Sequence, residues 1–258
     1  MTTERREYTE TLPALDGDCD FRRRLKPSAM MRYVEQISTD HARANQMDYR
    51  FFQEHHSAFL VAKQAVKITR MPRRGEQLTL HTACEVFQKG SMKRITTLCG
   101  AEGQELALVD CRWMLVDTRT GRIQRAPDWT VPGFQNESLP ESLPQLVHKS
   151  KDLKAAGEWT AYYSLCDSNG HINNSLYLDV ACDVLPLEVW QGSELRFFSI
   201  KYHREVPVGE KMQVFYAPVE QGWYVVGRRE EHAAFECYLE FGAQDESCCA
   251  ADYSNSTF

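Results

Sequence analysis

The sequence predicts an α+β fold in which a helix followed by antiparallel strands occurs twice. The first observation is a repeat, because residues 67–80 align without a gap on residues 201–214. Both segments end one strand, turn through a Gly-Glu pair and begin an alternating strand. The second observation is that an amphipathic helix with a tyrosine precedes each copy, at Tyr33 and Tyr177. The third is length, because 258 residues suffice for one large domain or two small ones.

The first half begins with a short strand, which is followed by the clearest helix of the chain. Met30, Val34 and Ile37 recur at helical spacing, and Ser28 after Pro27 is the expected N-cap. Alternating apolar residues then predict four strands separated by turns that contain glycine. The predicted elements are a strand at 7–12, helices at 28–45 and 48–56, and strands at 58–69, 77–87, 92–100 and 105–116.

The second half repeats this order after a polar connection. Residues 129–157 are predicted to be a linker over the surface, because Pro, Ser and Gln are frequent there. The domains are therefore expected at 1–128 and 158–242, and the tail at 243–258 is expected to be disordered because it has little to bury. The predicted elements are strands at 159–165, 194–204, 211–218, 222–230 and 233–241, with a helix at 174–187.

The composition argues against several classes of partner. The net charge of −6 at pH 7 makes nucleic acid an unexpected partner. No apolar run reaches membrane-spanning length, and the N-terminus has no apolar signal or transit-like segment. Nine cysteines without a C-x-x-C pair give no support to a zinc or redox site, and their odd number favours reduced thiols. We therefore expect a cytoplasmic protein that does not bind membranes and needs no metal or cofactor.

Residues 167–174 carry the candidate chemistry. Asp167, Asn169 and His171 occupy alternate positions, so an extended segment points their side chains the same way. The helix that follows supplies backbone N–H donors and a positive dipole end. An acid or base, a carboxamide that orients water or substrate, and donors for an oxyanion are the groups that acyl transfer needs. A polar turn with an asparagine cap fits the same pattern, so this motif alone leaves both interpretations open.

Several nearby side chains have a structural interpretation instead. Asn173 and Asn174 are expected to be helix caps rather than catalytic groups. Cys166 ends a strand and is expected to be buried, and His203 is expected to face away from its neighbour Arg204. The segment before the first helix has no His or Asn, so we expect one active site, in the second half. The methionine-rich first helix is predicted to line a pocket for a flexible apolar chain.

Three stretches resemble the acyl-acyl carrier protein thioesterase family, the plant and bacterial enzymes that release fatty acids from acyl carrier protein. They are DSNGHINNSLYLD at 167–179, YHRE at 202–205 and WMLVDTRTGR at 113–122. With the helix-led first half, the resemblance covers about residues 5–241. It implies a tandem (double) hotdog fold, with two antiparallel sheets that each wrap around a long helix. It also implies a thioester hydrolase whose partner is acyl carrier protein and which ends fatty acid synthesis.

The resemblance assigns catalytic roles, by position, to Asp167, Asn169, His171 and Glu205. Plant members often carry Cys directly after the glutamate, whereas this chain has Val206. Because no thiol is available there, attack by an activated water is favoured, with a carboxylate as general base or water-orienting group. The sequence does not decide which carboxylate takes the proton. The lack of a transit segment departs from the plant members and fits a bacterial cytosolic enzyme.

Other functions on the same fold stay open, because a fold does not determine an activity. They are an acyl-coenzyme A thioesterase and a non-catalytic acyl-chain or carrier-binding protein, whereas a hotdog dehydratase would not need the D-x-N-x-H set. The fused halves are compatible with a monomer, and exposed sheet edges with a homodimer. A basic group of side chains could contact an acidic carrier protein or form a solvated face. This group consists of Arg22, Arg23, Arg24, Lys26, Arg70, Arg73 and Arg74.

Overall fold

The computed structural model of the chain describes residues 5–125, 127, 129 and 136–244. The predicted tail lies outside these residues from position 245 onward. The strands within them are β1 (Glu7–Pro13), β2 (Ser57–Ile68), β3 (Gln77–Cys84), β4 (Ser91–Cys99), β5 (Glu105–Asp117), β6 (Arg122–Ile123), β7 (Lys154–Thr160), β8 (Glu194–Tyr202), β9 (Lys211–Val219), β10 (Gly222–Arg229) and β11 (His232–Gly242). The helices are α1 (Pro27–Ala44), α2 (Tyr49–Glu54), α3 (Leu176–Asp183) and α4 (Leu187–Gly192), with short 3-10 helices at Asp16–Asp18 and Tyr163–Leu165.

The strands form one continuous antiparallel sheet rather than two. Its order is β1-β3-β4-β5-β2-β8-β11-β10-β9-β7, with the short β6 paired to β5. The expectation of two separate sheets is therefore wrong. The halves join because β2 pairs with β8, which places Lys63 opposite Lys201 and Lys67 opposite Phe197. This pairing satisfies backbone groups on two edges that would otherwise be open.

The strand order is symmetric about the β2–β8 pair. Outward from β2 the strands are β5, β4, β3 and β1, and outward from β8 they are β11, β10, β9 and β7, so both halves have the same topology. Equivalent hydrogen bonds mark the repeat. The N–H of Ala14 donates to the carbonyl oxygen of Glu76 at 2.9 Å, and that of Ala161 donates to Glu210 at 2.8 Å. The repeat predicted from the sequence is thus confirmed as a structural repeat.

Helix α1 packs on the inner face of the sheet, where the two halves share one core. The helix begins at Pro27, whose fixed φ suits a first helical position. The expected N-cap at Ser28 is wrong, because the extended residue before the helix is Lys26 and Ser28 is buried in the first turn. In the part of the chain that the structure describes, no helix is both long and apolar enough to cross a membrane.

The second half has a shorter helix than predicted. A single helix was expected at 174–187, but α3 ends at Asp183 and α4 begins at Leu187. Pro186 lies between them and has no N–H with which to continue α3. The preceding strand, β7, begins at Lys154, five residues before the predicted start and inside the predicted linker. The 3-10 helix at Tyr163–Leu165 replaces the predicted end of that strand.

Residues 136–153, which we call the strap, cross the outer face of the sheet without forming a helix or strand. Polar side chains of the sheet hold the strap along its length. Lys93 donates from Nζ to the carbonyl of Leu139 at 3.0 Å, and Ser199 donates from Oγ to that of Leu146 at 2.6 Å. Val147 is 3% exposed and packs on an apolar cluster of the second half. The sheet therefore has helices on one face and the strap on the other.

Candidate active site

The loop between the second 3-10 helix and α3 brings the three predicted polar side chains to one end of the sheet. The N–H of Asp167 donates to the carbonyl of His171 at 3.0 Å, and the N–H of Gly170 donates to that of Asp167 at 3.0 Å. Gly170 has a φ of +79°, which an L-residue rarely adopts, so the Asn-Gly pair serves a tight turn. The segment is thus a closed loop rather than the extended stretch that alternate spacing suggested.

Asp167 is held by hydrogen bonds from its own loop. Its Oδ1 accepts the N–H of Asn169 at 2.8 Å, and its Oδ2 lies 3.5 Å from the carboxamide nitrogen of Asn173. The side chain of Asn173 also accepts at Oδ1 from the N–H of Ser175 at 2.9 Å. Asn173 therefore links the carboxylate to Ser175, which is the N-cap of α3, so the prediction that Asn173 and Asn174 cap this helix is wrong.

Glu205 reaches the same place because its segment pairs with the loop. The N–H of Ile172 donates to the carbonyl of Val206 at 3.0 Å, and the N–H of Val208 donates to that of Gly170 at 2.9 Å. Consequently Nε2 of His171 lies 3.5 Å from Oε1 of Glu205. The side chain of His171 is 13% exposed and that of Glu205 is 61% exposed. The structure thus brings together the side chains that the two sequence motifs proposed.

Glu35 on α1 is a residue of the candidate site that sequence reasoning missed. Its carboxyl group lies near the side chains of Asn173 and Asp167. Burial raises the pKa of Glu35, the charge of Asp167 raises it further, and the nearby carboxamide of Asn173 opposes both effects. Local sequence patterns gave no signal that the first helix of one half would meet the loop with Asp167 in the other half.

A cavity of about 640 Å³ opens beside these residues and extends into the first half. Glu35 and Asn169 lie on its wall, together with Arg94 of β4, which is 2% exposed. The apolar part of the lining comes from residues of α1, α2, β2, β4, β5 and the turn after α1. They are Ala42, Met47, Phe52, Ala58, Phe59, Met92 and Trp113.

The prediction that methionines of α1 would line the pocket is wrong in detail. Met30 and Met31 point into the shared core, where they are 0% and 2% exposed. Met47 follows α1 and Met92 lies on β4, and these two contribute to the cavity. The face of α1 that contacts the cavity is instead mostly polar, and it consists of Glu35, Ser38, Thr39, Ala42 and Arg43. Because α1 lies between the core and the cavity, one of its faces packs in the core and another lines the cavity. Composition alone does not tell which residues lie on which face.

The other candidate nucleophiles and bases do not complete this site. Cys166 is half-buried, and burial together with the charge of Asp167 raises the pKa of its thiol. It is therefore poorly suited to form a nucleophilic thiolate. His203 lies on the outer face, where Nε2 is 2.9 Å from Oε2 of Glu236. Across residues 5–125 and 136–244, no three His, Cys, Asp or Glu side chains are grouped to hold a metal ion.

The first half contains a structural counterpart of the loop that carries Asp167, Asn169 and His171. Equivalent hydrogen bonds, each of 2.9 Å, close the two loops from Lys26 to Asp18 and from Asn173 to Leu165. Cys19-Asp20 in the first loop thus corresponds to Cys166-Asp167 in the second. As in the second loop, the aspartate accepts a backbone N–H two residues on, from Arg22 to Oδ1 of Asp20 at 2.8 Å.

Arginines occupy the positions in this counterpart that Asn169 and His171 occupy in the second loop. Arg22 donates to Oε1 of Glu194 at 2.8 Å, and Arg24 pairs with the other oxygen of that carboxylate. The side chains of Arg22 and Arg24 are only 18% and 12% exposed. For these two residues, the structure contradicts both the solvated face and the carrier-docking surface. They form an ion-pair cluster, which we call the Glu194 clamp, where a second active site would lie.

The chain is similar over most of its length to solved structures of acyl-ACP thioesterases. The chain superimposes on the crystal structure of an acyl-ACP thioesterase from Bacteroides thetaiotaomicron with a TM-score of 0.82 and 18% identity, covering 92% of this chain and 98% of that one. For the 12:0-ACP thioesterase from Umbellularia californica the TM-score is 0.75 and the identity 15%, with coverage of 92% and 98%. At these identities the likeness establishes the fold, which is of the hotdog type.

The curated relatives are plant chloroplast proteins. The chain is 27% identical over 158 residues to an acyl-[acyl-carrier-protein] hydrolase of Cuphea viscosissima, and the match covers 57% of this chain. It is also 27% identical over 158 residues to a palmitoyl-acyl carrier protein thioesterase of Cuphea hookeriana. Each match spans 38% of the relative's own length.

Family models match both halves of the chain. The model of the acyl-ACP thioesterase N-terminal domain matches residues 5–133, and that of the C-terminal domain matches residues 148–253. Together they span most of the sequence, including the helix that carries Glu35 and the loop that carries Asp167, Asn169 and His171. The chain therefore belongs to the acyl-ACP thioesterase family.

Proposed function

We propose that this protein hydrolyses the thioester of acyl-acyl carrier protein and releases a free fatty acid, which terminates fatty acid synthesis. The observation that carries the proposal is the junction of two features. The loop with Asp167, Asn169 and His171 meets a cavity of about 640 Å³ at Asn169. A cavity with apolar walls suits an acyl chain, and polar groups at its mouth suit the thioester.

The two halves have different roles in this proposal. They are two hotdog units fused in tandem, with residues 1–128 holding the acyl chain and residues 158–242 holding the catalytic loop. The β2–β8 pairing supplies within one chain the contact that would otherwise need a second copy, which favours a monomer. Free thiols at the seven described cysteines favour a reducing compartment such as the cytoplasm.

Asp167 is the general base that we propose. The N–H of Asn169 and the carboxamide of Asn173 hold this carboxylate next to Asn169, which lies on the cavity wall. In the first step, the oxygen of a water forms a bond to the thioester carbonyl carbon while a proton of that water passes to Asp167. The tetrahedral intermediate then expels the carrier thiolate by breaking the C–S bond. The proton held by Asp167 neutralises the thiolate, which regenerates the carboxylate and gives a fatty acid and a thiol.

Glu205 and His171 orient the reacting groups in the same proposal. The imidazole lies between the carbonyl oxygen of Ile172, 3.2 Å from Nδ1, and the carboxylate of Glu205, 3.5 Å from Nε2. An imidazole fixed at both nitrogens presents a defined edge to the substrate. Asn169 lies on the cavity wall, where its carboxamide can donate to the thioester oxygen or orient the water.

The proposal is tested by thiol release from acyl carrier proteins of several chain lengths. Asp167→Ala and Glu205→Ala are each expected to lower kcat by about 10²- to 10⁴-fold, because each removes a positioned polar group. His203→Ala serves as the matched control, because this histidine lies on the outer face. Both variants at the wild-type rate would contradict the site. Faster cleavage of acyl-coenzyme A of equal chain length would contradict the substrate, and no cleavage at all would support a binding protein.

A further inference from the structure

We propose that Glu35 is a catalytic residue of this site, and that its carboxyl group donates a hydrogen bond to the thioester carbonyl oxygen. The inference rests on the proposed function and deepens it, because it makes the active site a product of both halves. Neither sequence motif includes Glu35, which lies on α1 of the first half. In the proposed reaction the same hydrogen bond strengthens as the carbonyl oxygen becomes an oxyanion.

The position of Glu35 places it where the thioester must lie. It shares the cavity wall with Asn169 of the catalytic loop. Further along α1, Ser38, Thr39 and Ala42 line the same cavity. An acyl chain that fills the cavity from its inner end therefore passes this face of the helix and brings its carbonyl group toward Glu35 and Asn169.

The contacts of Glu35 join it to the proposed base. Its carboxyl group lies near the side chain of Asn173, whose nitrogen is 3.5 Å from Oδ2 of Asp167. The same carboxamide is thus close to both carboxyl groups. Because the negative charge of Asp167 disfavours a second negative charge nearby, Glu35 retains its proton more readily than an isolated glutamic acid.

The surroundings favour Glu35 as the protonated member. Burial and the charge of Asp167 both raise its pKa. Asp167 instead accepts the backbone N–H of Asn169 at 2.8 Å. The other charged or titratable groups around the site are Tyr202 of β8, His171 and Glu205 beside the catalytic loop, and Arg43, Asp48 and Arg94 on the cavity wall. A neutral carboxyl group has an O–H that can donate a hydrogen bond, whereas an ionised carboxylate can only accept one.

The degenerate counterpart in the first half provides an independent comparison. The closing hydrogen bonds of the two loops relate Asp20 to Asp167. Cys182 of α3 lies close enough to Asp20 for its charge to act on the thiol, as Glu35 of α1 lies near Asp167. The counterpart therefore has the half-buried thiol of Cys182 where the proposed catalytic site has a carboxyl group, and it is closed by the Glu194 clamp. Of these two sites, the one at the loop with Asp167 has both the carboxyl group of Glu35 and the open cavity.

Two substitutions of Glu35 separate hydrogen-bond donation from proton transfer. Glu35→Gln retains a donor of the same length, and Glu35→Leu removes it. We expect Glu35→Leu to lower kcat by about 10²- to 10³-fold with a smaller change in KM, as when an oxyanion donor is removed. We expect Glu35→Gln to stay within about tenfold of wild type. It should also abolish the loss of activity at rising pH that ionisation of Glu35 causes in the wild type.

Asp40→Asn is the control on the same helix. Asp40 accepts hydrogen bonds from Gln36 and Arg43 on α1 and is absent from the cavity wall. The rate and pH profile of Asp40→Asn should therefore match those of the wild type. Glu35→Leu at the wild-type rate would overturn the inference. Glu35→Gln as inactive as Glu35→Leu would also overturn it, because the residue would then have to transfer a proton.

A binding measurement distinguishes failure of this inference from failure of the proposed function. The probe is acyl carrier protein whose thioester is replaced by a non-hydrolysable ketone. We expect equal affinity for wild type and Glu35→Gln and weaker binding by Glu35→Leu. If no acyl carrier protein is hydrolysed by wild type, the proposed function fails. If Glu35→Leu and wild type bind the ketone probe with equal affinity, the contact between Glu35 and the carbonyl oxygen is rejected, whether or not the wild type hydrolyses the thioester.

Discussion

Two carboxyl groups near one carboxamide, Glu35 and Asp167, illustrate how environment divides chemical roles at the scale of single residues. Glu35 is half-buried on a helix and lies near the negative charge of Asp167, whereas Asp167 accepts a backbone hydrogen bond. In the proposed reaction, the carboxyl group with the raised pKa is the hydrogen-bond donor and the other carboxylate is the base. The sequence identified Asp167 because its motif is local. It could not identify Glu35, because the contact joins residues far apart in the chain.

The surroundings of His41 in the core also shift its pKa, and from this shift we predict a pH dependence of stability. This residue is 0% exposed, and its Nε2 lies 2.7 Å from the carbonyl of Arg5 while Nδ1 lies 3.1 Å from Arg94. Burial and the Arg94 charge lower the pKa of His41 to about 4. Because the unfolded state, with a pKa of about 6.5, binds the proton more readily, stability is lost as pH falls from about 6.5 to 4.

The expected loss from His41 is about 2 kcal/mol over that range. Urea unfolding of wild type and His41→Gln at several pH values checks it, because glutamine can keep a donor and an acceptor without titrating there. The difference in unfolding free energy between the two proteins should narrow as pH falls from 6.5 to 4. A difference that stays constant would show that His41 does not titrate between the folded and unfolded states.

At the scale of elements, local signals predicted most helices and strands, and the failures have local physical causes. Residues 57–68 and 105–117 form strands close to the predicted positions because their apolar residues alternate or run continuously. The predicted helix at 174–187 fails at Pro186, which was included although proline cannot continue a helix. The β2–β8 pairing was missed because strand propensity does not specify which edges will meet.

The Glu194 clamp gives a prediction about elements rather than catalysis. It ties the loop before α1 to the start of β8, with Arg22 also donating to the carbonyl of Ser193 at 2.9 Å. Glu194→Gln should lower the free energy of unfolding by about 3 kcal/mol, because it leaves two poorly exposed guanidinium groups without their carboxylate. Glu54→Gln is the control, since Arg50 and Glu54 are 85% and 59% exposed and such pairs contribute little.

Chemical unfolding and steady-state kinetics together assess the clamp. We expect Glu194→Gln to unfold at lower urea concentration while its kcat, measured where it is fully folded, stays near wild type. Equal loss of stability in Glu194→Gln and Glu54→Gln would contradict a structural role for the clamp. A lower kcat with unchanged stability would place Glu194 in the catalytic machinery instead.

At the scale of the whole molecule, the candidate site of this duplicated fold draws on both halves. The cavity is lined mostly by residues of the first half, the loop with Asp167, Asn169 and His171 belongs to the second, and Glu35 of the first half lies near Asp167. The repeat was predictable, because Gly75-Glu76 and Gly209-Glu210 keep the same turn. The asymmetry was predictable in part, from the absence of His and Asn before α1. The cause of the asymmetry is that Arg22 and Arg24 close the counterpart site. This closure was not predictable, because it depends on their ion pairs with Glu194, which lies on a distant strand.

Rapid-quench mass spectrometry of the intact protein during a single turnover tests the central claim most directly. The claim is that water attacks an acyl thioester held jointly by the two halves. We predict that fatty acid is released from acyl carrier protein while the mass of the protein stays unchanged at every time point. Asp167→Ala should release acid at least about 10²-fold more slowly, again without an adduct. An acyl adduct on Cys166 or another side chain, formed and lost at the rate of turnover, would contradict the account.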